Sequence, residues 1–398
     1  MTNSRQNPSL EELTTQVRSL VNELIQLEPA FLSQNMREFL PLLEAKREEV
    51  KKQGLWGLAL SEDLGGHGLS LDQFAVLAEE MGRSPLAHYA FGCQAPEAGN
   101  IELLHLHGSP QQKEQVLQPL IEGKIRSCFA MTEKNTSGAN PTELQTRAHK
   151  TKDGWRLEGE KWFTTAADGA DYVIVMAVTD PAAAPHQRAS MFLLPMKQAG
   201  LQFVRNISVM GHAGAGPFSH AELKFDACEV SDEALIGAPG DGFRLAQARL
   251  GHGRIHHCAR WLGIADRALE LMVARVRNRQ IAADRRLAQS DVIQSWIAEA
   301  AADITASRLF VRHTAQLIEE GGSRAARSEI SMIKFFVAGK LGEILDRAIQ
   351  CYGAAGVSDD FILAFFYREE RAARIYDGPD EVHKISLARH IIKSMGEQ

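Results

Sequence analysis

The 398-residue chain has few cysteines, and none of them belongs to a close pair. Cys93, Cys128, Cys228, Cys258 and Cys351 are scattered, and no C-x-x-C motif occurs. Zinc sites and disulfide frameworks in short motifs need cysteines near one another in sequence. The pattern therefore argues against both, and it favours free thiols in a reducing compartment.

Long apolar runs and blocks of one charge are also missing. No stretch approaches the roughly 20 apolar residues that span a bilayer. The first six residues lack the apolar core of a secretory signal and are too poor in arginine for a transit peptide. Lys and Arg number 44 against 50 Asp and Glu, and no basic block occurs. We therefore predict a cytoplasmic protein with no membrane span and no nucleic-acid partner.

Hydrophobic patterning divides the chain into three parts. Residues 1–125 have helical periodicity, beginning at Ser9 and Glu12, which fit a capping box. Residues 126–240 change to short strands separated by turns, and the clearest predicted strands are residues 155–165, 172–178, 190–194 and 220–225. This middle part is predicted to be a small all-β domain.

Residues 241–398 return to helical periodicity in long runs. Residues 255–276, 292–318 and 328–350 carry apolar residues at three-and-four spacing and contain no proline. Long antiparallel helices of this kind form bundles. The predicted architecture is therefore helical, then β, then helical.

A ten-residue segment near the C-terminus carries three carboxylates, those of Asp377, Asp380 and Glu381. In one interpretation, Gly378 ends a segment and Pro379 begins a helix whose first turn favours the negative charges. In the other, the Gly-Pro break leaves Asp377 off the helix as a general base. The two interpretations are compatible, because a helix start can fix a carboxylate in place.

Two segments of the middle part suit a ligand. Residues 131–140 are rich in hydroxyls and small side chains, which offer donors to an anion or a polar ring edge. Trp162 and Thr164 are two apart on a predicted strand and would share a face, which suits a planar ligand. An ordinary surface loop and a core tryptophan beside a satisfied threonine are the competing interpretations.

His256 and His257 form a conspicuous pair, followed directly by Cys258. Adjacent positions on a helix face different directions, so the pair is not a metal ligand set. We interpret these residues as structural and predict no metal site.

Together these segments resemble the acyl-CoA dehydrogenase family over nearly the whole chain, in the same order and spacing. The matching segments are G-L-W-G at 54–57, L-G-G-H-G-L-S at 64–70, F-A-M-T-E at 129–133, K-W-F-T at 161–164, L-G-H-G-R-I-H-H-C at 250–258, Q-C-Y-G-A-A-G at 350–356 and D-G-P-D-E-V-H at 377–383. The C-terminal half is most similar to the branch with the D-G-P-D-E-V-H motif.

The resemblance implies a mainly α fold: a helical domain (1–125), a β-barrel domain (126–240) and a four-helix bundle (241–398). It implies FAD between the β domain and the bundle, in a homotetramer or homodimer. Thr132 would bond the pyrimidine edge of the flavin, Trp162 would lie against the ring and Thr164 would face N5. The FAD contacts that it assigns are Phe129, Met131, Thr132, Ser137, Gly138, Trp162, Thr164, Arg279, Gln350, Gly353, Ala354, Pro379, Asp380 and Glu381.

The resemblance also implies the chemistry. Asp377 falls where the family places its catalytic carboxylate, usually Glu, and Arg254 and Gly378 match acyl-CoA contacts. The base removes the α-proton of an acyl-CoA thioester, a hydride passes to flavin N5, and an electron-transferring flavoprotein takes the electrons. Aspartate, with a solution pKa of about 3.9, is a weak base unless burial desolvates it.

Two positions depart from the family pattern. Gly138 stands where many members have a serine that holds the pyrophosphate. In the segment that begins at Arg279 and helps to bind adenine across the dimer, Ala283 and Asp284 stand where the family pattern has Phe and Gly. Local repacking and weaker FAD binding are both open interpretations.

Three alternative functions stay open on the sequence alone. The same fold serves acyl-CoA oxidases that use oxygen, and dehydrogenases that act on carrier-protein thioesters. A non-catalytic flavoprotein scaffold is the third, and one DNA-protective relative has such a role. The absence of a basic run and the presence of Asp377 argue against the scaffold.

Overall fold

The computed structural model describes residues 8–396, except for the side chains of residues 250–252. The chain divides into two compact units. One unit is continuous and comprises Gly92–Gly253. The other is discontinuous, because it joins the residues up to Phe91 with those from Arg254 onward.

Five α-helices lie between residue 8 and the start of the continuous unit. They are α1 (Leu10–Ile25), α2 (Glu28–Ser33), α3 (Met36–Lys52), α4 (Leu71–Gly82) and α5 (Ala87–Ala90). The predicted capping box begins α1: the Ser9 backbone N–H donates to Glu12 Oε2 at 2.8 Å, and the Glu12 N–H donates to Ser9 Oγ at 3.2 Å. These bonds satisfy N–H groups that a helix start leaves without partners.

The continuous unit begins with helices and continues into strands. Its helices are α6 (Glu97–His107), α7 (Pro110–Gln112) and α8 (Gln118–Ile121), with a π-helical turn between α7 and α8. Its strands are β1 (Ser127–Ala130), β2 (Arg147–Lys150), β3 (Trp155–Thr165), β4 (Tyr172–Val178), β5 (Ala189–Pro195), β6 (Leu201–Asn206), β7 (His220–Val230) and β8 (Leu235–Ile236).

These strands form one eight-stranded sheet in the order β6-β7-β3-β2-β4-β5-β8, and β1 pairs with β4 in parallel. Apolar residues of β1, β4 and β7 meet in its core with β5, and Val173, Phe192 and Leu223 are fully buried there. The long β3–β7 pair is interrupted by a bulge between Lys161 and Thr164. That bulge lies within one of the segments predicted to contact a ligand.

The last part of the chain is helical except for one hairpin. Its elements are α9 (Gly242–Asn278), β9 (Gln280–Ala282), β10 (Arg285–Arg286), α10 (Asp291–Ala325), α11 (Arg327–Tyr352), α12 (Ile362–Glu370) and α13 (Asp380–Gly396). α11 packs against α10, α12 and α13. α10 is broken at Gly322, where φ is +74°.

The predicted helical, β, helical order is confirmed. The predicted bounds of β3 and β4 are correct, and β2, β6 and β8 were missed. β6 has no alternation of burial, since every residue in it is exposed or half-buried, so the period-two signal is absent. The five cysteines are buried and free, and no helix among residues 8–396 is long and apolar enough to cross a membrane.

Candidate active site

The Asp377 loop lies between a short 3-10 helix, Arg371–Arg374, and the start of α13 at Asp380. Asp377 has φ +53° and Gly378 has φ +96°. A Cβ at Gly378 would meet His383 Nε2 at 2.8 Å, so glycine is required there by space as well as by conformation. The reversal leaves Asp377 outside α13, and the predicted helix start at Pro379 and Asp380 is confirmed.

Two side chains hold the backbone of this loop. Lys334 on α11 is 1% exposed and donates from Nζ to the carbonyls of Ala373 at 2.7 Å and Gly378 at 3.0 Å. His383 Nε2 lies 3.1 Å from the Asp377 carbonyl oxygen. Burial lowers the pKa of His383, which favours the neutral ring that donates this bond. The loop is therefore fixed on both sides of Asp377.

The Asp377 carboxylate contacts a histidine of α9. His257 Nε2 lies 3.1 Å from Asp377 Oδ2, and each side chain is about one-fifth exposed. The interpretation of His257 as merely structural is thus incomplete. Local pattern could not reveal the contact, because it joins a helix to a loop far away in sequence.

A buried polar network lies beside this pair. Tyr376 Oη accepts hydrogen bonds from Arg260 Nη2 at 2.9 Å and from Trp261 Nε1 at 3.0 Å. Arg260 also pairs with the Glu370 carboxylate, from Nη2 to Oε2 at 3.0 Å. Burial raises the pKa of Tyr376, so its hydroxyl stays neutral. Because its groups bond one another, the network fixes the residue that precedes Asp377.

Arg254 lies one helical turn before His257 on α9. Its Nε is buried and has no hydrogen-bond partner among the described residues, which exclude the side chains of 250–252. Burial lowers the pKa of Arg254, and the Asp377 carboxylate opposes that effect. A buried guanidinium with an unused donor suits a carbonyl or an anion as ligand.

The other two carboxylates of the motif have different surroundings. Asp380 is 2% exposed and accepts a hydrogen bond from Arg374 Nε at 2.7 Å. Glu381 is exposed and Pro379 is half-buried. Arg254, Asp377, Gly378 and Asp380 are thus near one another in one unit, around His257 and Lys334.

In the continuous unit, Thr132 and Trp162 are joined by a hydrogen bond from the Trp162 N–H to the Thr132 carbonyl at 2.8 Å. Thr164 is fully buried, and its Oγ1 has no partner among the described residues. The expectation that Trp162 and Thr164 share a face by strict alternation is wrong. The bulge adds a residue between them, and Phe163 has φ +55° there.

A buried ion pair, also missed from the sequence, holds this region. Lys161 Nζ donates to Glu133 Oε1 at 2.9 Å and to the Met131 carbonyl at 2.9 Å. Glu133 also accepts from the N–H groups of Gln145 at 2.6 Å and Thr146 at 2.9 Å. Burial lowers the pKa of Lys161 to about 8, although Glu133 opposes the change. The pair ties the 131–140 loop to β3.

The remaining predicted contacts of this unit are at the loop and β1. Arg249 lies over the Phe129 ring, with 4.1 Å from Cζ to the ring centre. Ser137 and Gly138 are exposed, and a Cβ at Gly138 would approach Thr132 Cγ2 at 3.3 Å. Trp162 is half-buried, with Lys134 Nζ 4.8 Å from its ring centre. The structure brings these residues together on neighbouring segments.

The predicted contacts at the end of α11 and after α9 lie on the surface. Gln350, Gly353 and Ala354 are exposed, and Gly353 has φ +63°. Arg279 and the β9–β10 hairpin that follows it are exposed as well. Each group is accessible to a ligand or to a second copy of the chain.

Helical segments precede and follow a β domain along the chain. Comparison with known proteins identifies the family to which this architecture belongs. The N-terminal, middle and C-terminal domain models of acyl-CoA dehydrogenase match residues 7–124, 128–228 and 240–392. The chain belongs to the acyl-CoA dehydrogenase family. It is therefore an oxidoreductase with FAD as cofactor, as the resemblance predicted.

The relatives support this membership along most of the chain. The Mycobacterium tuberculosis protein named probable acyl-CoA dehydrogenase FadE2 is 44% identical over 352 residues, which are 88% of this chain and 85% of that protein. Mouse acyl-CoA dehydrogenase family member 11 is 40% identical over 351 residues, 87% of this chain but 44% of that protein. The chain thus spans less than half of that longer relative.

Solved structures are similar to this chain over almost its whole length. A Mycobacterium abscessus protein assigned as an acyl-CoA dehydrogenase has a TM-score of 0.93 at 37% identity, covering 98% of this chain and 99% of that one. A glutaryl-coenzyme A dehydrogenase in complex with glutaryl-CoA has a TM-score of 0.83 at 24% identity, covering 99% and 97%. The second likeness concerns the fold alone.

Proposed function

We propose that the protein oxidises an acyl-CoA thioester to the 2-enoyl-CoA, with Asp377 as the base that takes the α-proton. The observation that carries the proposal is the fixed Asp377 loop. Its backbone is in the left-handed region, two side chains hold it, and its carboxylate bonds to His257. Strain that the surroundings enforce is typical of active-site residues.

Arg254 and Gly378 are the proposed contacts of the thioester substrate. Arg254 presents a donor for which the described side chains offer no partner, on the helix that carries His257. An acceptor atom of the acyl-CoA would satisfy this donor. The contact would be favourable, because a buried charged donor without a partner is costly. Gly378 follows Asp377 directly in the loop, so it lies next to the proposed base.

The continuous unit fits the flavin ring of FAD. Thr164 Oγ1 is buried and has no partner in the described part of the chain. Buried polar atoms are normally hydrogen-bonded, so we expect a polar atom of the ligand to bond to it. Trp162 offers a half-buried aromatic face, Thr132 a hydroxyl, and Ser137 and Gly138 an accessible loop beside it. Phe129 and Met131 complete this group. When bound, FAD supplies the acceptor for the β-hydride.

The ADP half of FAD is proposed to contact the exposed groups. These are Arg279 at the hairpin and Gln350, Gly353 and Ala354 at the end of α11. Half-buried Pro379, buried Asp380 and exposed Glu381 are proposed as further FAD contacts at the start of α13. Contacts of this kind with a neighbouring subunit require a homodimer or homotetramer. Exposed apolar residues along α13 support self-association: Val382, Ile385, Ile392 and Met395.

An electron-transferring flavoprotein is the proposed electron acceptor, by analogy with the family. A cytoplasmic location is supported by the five free cysteines, which suit a reducing compartment.

Anaerobic mixing of the FAD-bound protein with acyl-CoAs tests the proposal. A panel of straight, branched, aromatic and hydroxylated acyl-CoAs should contain at least one that bleaches the flavin absorbance. Asp377→Asn should abolish that bleaching while FAD stays bound, because an amide cannot take the α-proton. Bleaching that survives in Asp377→Asn would show that another group is the base. A protein that fails to take up FAD would refute the proposal altogether.

A further inference from the structure

The contact between His257 and Asp377 is one that the family resemblance does not assign. His257 Nε2 and Asp377 Oδ2 are 3.1 Å apart, which is hydrogen-bonding distance. The two side chains come from different elements, since His257 is on α9 and Asp377 is in the loop before α13. Both are mostly shielded from water, so the bond is stronger than it would be on the surface.

The imidazole ring is held in place by its neighbours. It is nearly parallel to Trp261, at 21° with 6.1 Å between ring centres, and its centre is 5.2 Å from that of Tyr376. Trp261 is fully buried and donates to Tyr376 Oη, so these two rings form one rigid support. His257 therefore presents Nε2 to the carboxylate from a fixed position.

We propose that His257 is a positioning residue, which orients the Asp377 carboxylate as the base; this inference rests on the proposed role of Asp377. With a proton on Nε2, the His257 ring donates to Asp377 Oδ2. That bond restricts rotation of the carboxylate, whose backbone is already fixed by Lys334 and His383. The α-proton of the substrate is then transferred to a carboxylate of defined orientation.

The opposite assignment is that His257 takes the proton and Asp377 orients it, as in a catalytic triad. The two assignments differ in what they require of residue 257. A positioning residue needs only a donor at the place of Nε2, whereas a base needs a nitrogen that accepts a proton. Glutamine separates them, because its amide N–H occupies about the place of Nε2 but takes up no proton at neutral pH.

The test compares four variants of the FAD-bound protein: His257→Gln, His257→Leu, Asp377→Asn and, as a matched control, His256→Gln. His256 is the adjacent residue of α9, and its ring packs against Phe74. The rate of anaerobic flavin reduction at saturating acyl-CoA is measured by stopped flow, and the acyl-CoA Kd by titration. Exchange of the α-hydrogen with deuterated water, followed by mass spectrometry on the reduced enzyme, reports the base step by itself.

We expect His257→Leu to lower the reduction rate and the exchange rate about 10- to 100-fold, the effect of a hydrogen bond to a charged group. The Kd should stay within about 3-fold, since the loss falls on the rate at saturation. His257→Gln should restore most of the rate, and His256→Gln should resemble the wild type. Flavin absorbance and Tm confirm that each variant is folded.

Three results would overturn the inference. Wild-type rates in His257→Leu would show that the bond does not orient the base. Equal losses in His257→Gln and His257→Leu would indicate that His257 itself takes the proton. A rise in Kd with an unchanged rate would indicate a substrate-binding role. Survival of reduction in Asp377→Asn is a separate result, because it refutes the proposed function itself.

Discussion

At the scale of single residues, two buried glutamates show how surroundings decide the state of a carboxylate. Burial opposes the ionisation of Glu133, yet Lys161 and two backbone N–H groups lower the pKa of this carboxyl overall. Glu28 has a weaker partner, since Arg267 Nη2 lies 3.9 Å from its Oε2. Burial raises the pKa of Glu28 to about 7. Glu133 is therefore ionised at neutral pH, whereas Glu28 is largely protonated below it.

Glu28 should make stability depend on pH. Its folded pKa is raised above the ordinary 4.5, so its stabilising contribution is complete below 4.5 and is lost as the pH rises through about 7. Glu28→Gln should remove this dependence and be more stable than the wild type at pH 8, on the order of 1 kcal/mol. Measuring the Tm of both proteins as a function of pH tests this dependence.

Glu48→Gln is the matched control, because Glu48 is exposed and pairs with Lys51 on the surface. It should shift stability by less than about 1 kcal/mol. A Glu28→Gln variant whose Tm follows the wild type at every pH would show that Glu28 is ionised without penalty.

Individual site residues were predictable where a motif marks them. Asp377, Thr132 and Trp162 stand in short segments that match the family, so local sequence was sufficient. His257 and Lys334 were not predicted, because their roles depend on contacts between elements far apart in sequence. A histidine or lysine in a helical pattern has the same local signal whether it faces solvent or a buried carbonyl.

At the scale of elements, the Asp377 loop depends on α11. Lys334 is the buried cation that bonds carbonyls on either side of Asp377, at Ala373 and Gly378. Burial lowers the pKa of Lys334, while the Asp380 and Asp377 carboxylates favour its charge. An element that carries no proposed catalytic group thus determines the path of the loop that does.

Lys334→Met should disturb the loop. It leaves two buried carbonyls without a donor, so we expect a loss of about 1–3 kcal/mol in stability. The rate of flavin reduction should fall at least about 10-fold at a temperature where the variant is folded, because the base is displaced.

Lys340→Met on the same helix is the control. Lys340 pairs with Glu343 and Asp303 near the surface, and its loss should change neither the rate nor the Tm appreciably. A folded Lys334→Met variant with an unchanged reduction rate would contradict the role given to this lysine.

Element boundaries were predictable where burial alternates or where a cap is present. β3 and the start of α1 have such signals, whereas β4 is a continuous buried apolar run, and the predicted bounds of all three are correct. The bulge in β3 has none, because nothing in Lys161-Trp162-Phe163-Thr164 marks Phe163 for a positive φ. The pairing of β3 with β7 determines it, and that pairing is not local.

At the scale of the whole molecule, the β9–β10 hairpin bears on cofactor affinity. Its turn contains Ala283 and Asp284, and Gln280 Nε2 donates to the Ala283 carbonyl at 2.6 Å. The hairpin is exposed, so it is accessible to a second copy of the chain. The family pattern has Phe and Gly at these two positions.

Ala283→Phe with Asp284→Gly should tighten FAD binding about 10-fold, because it adds an aromatic contact and removes a negative charge near an anionic ligand. Fluorescence titration of the apoprotein gives the affinity, and light scattering gives the oligomeric state. The single variant Asp284→Asn removes the charge without adding the aromatic ring, so it separates the two contributions to FAD affinity. An unchanged affinity in the double variant would mean that local repacking compensates for the departure.

The discontinuous unit has a consequence for how the enzyme is made. Gly92–Gly253 is one uninterrupted stretch, whereas the unit containing Asp377 also needs the residues up to Phe91. A chain leaves the ribosome N-terminus first, and domains fold as units. The continuous unit, which contains Trp162 and Thr164, can therefore fold before the codon for Asp377 is read. The helices before Gly92 cannot complete their unit until the residues from Arg254 onward have been made. A chain cut short before Asp377 would hold much of the proposed flavin surface without the base, so incomplete translation products of this kind would be catalytically silent.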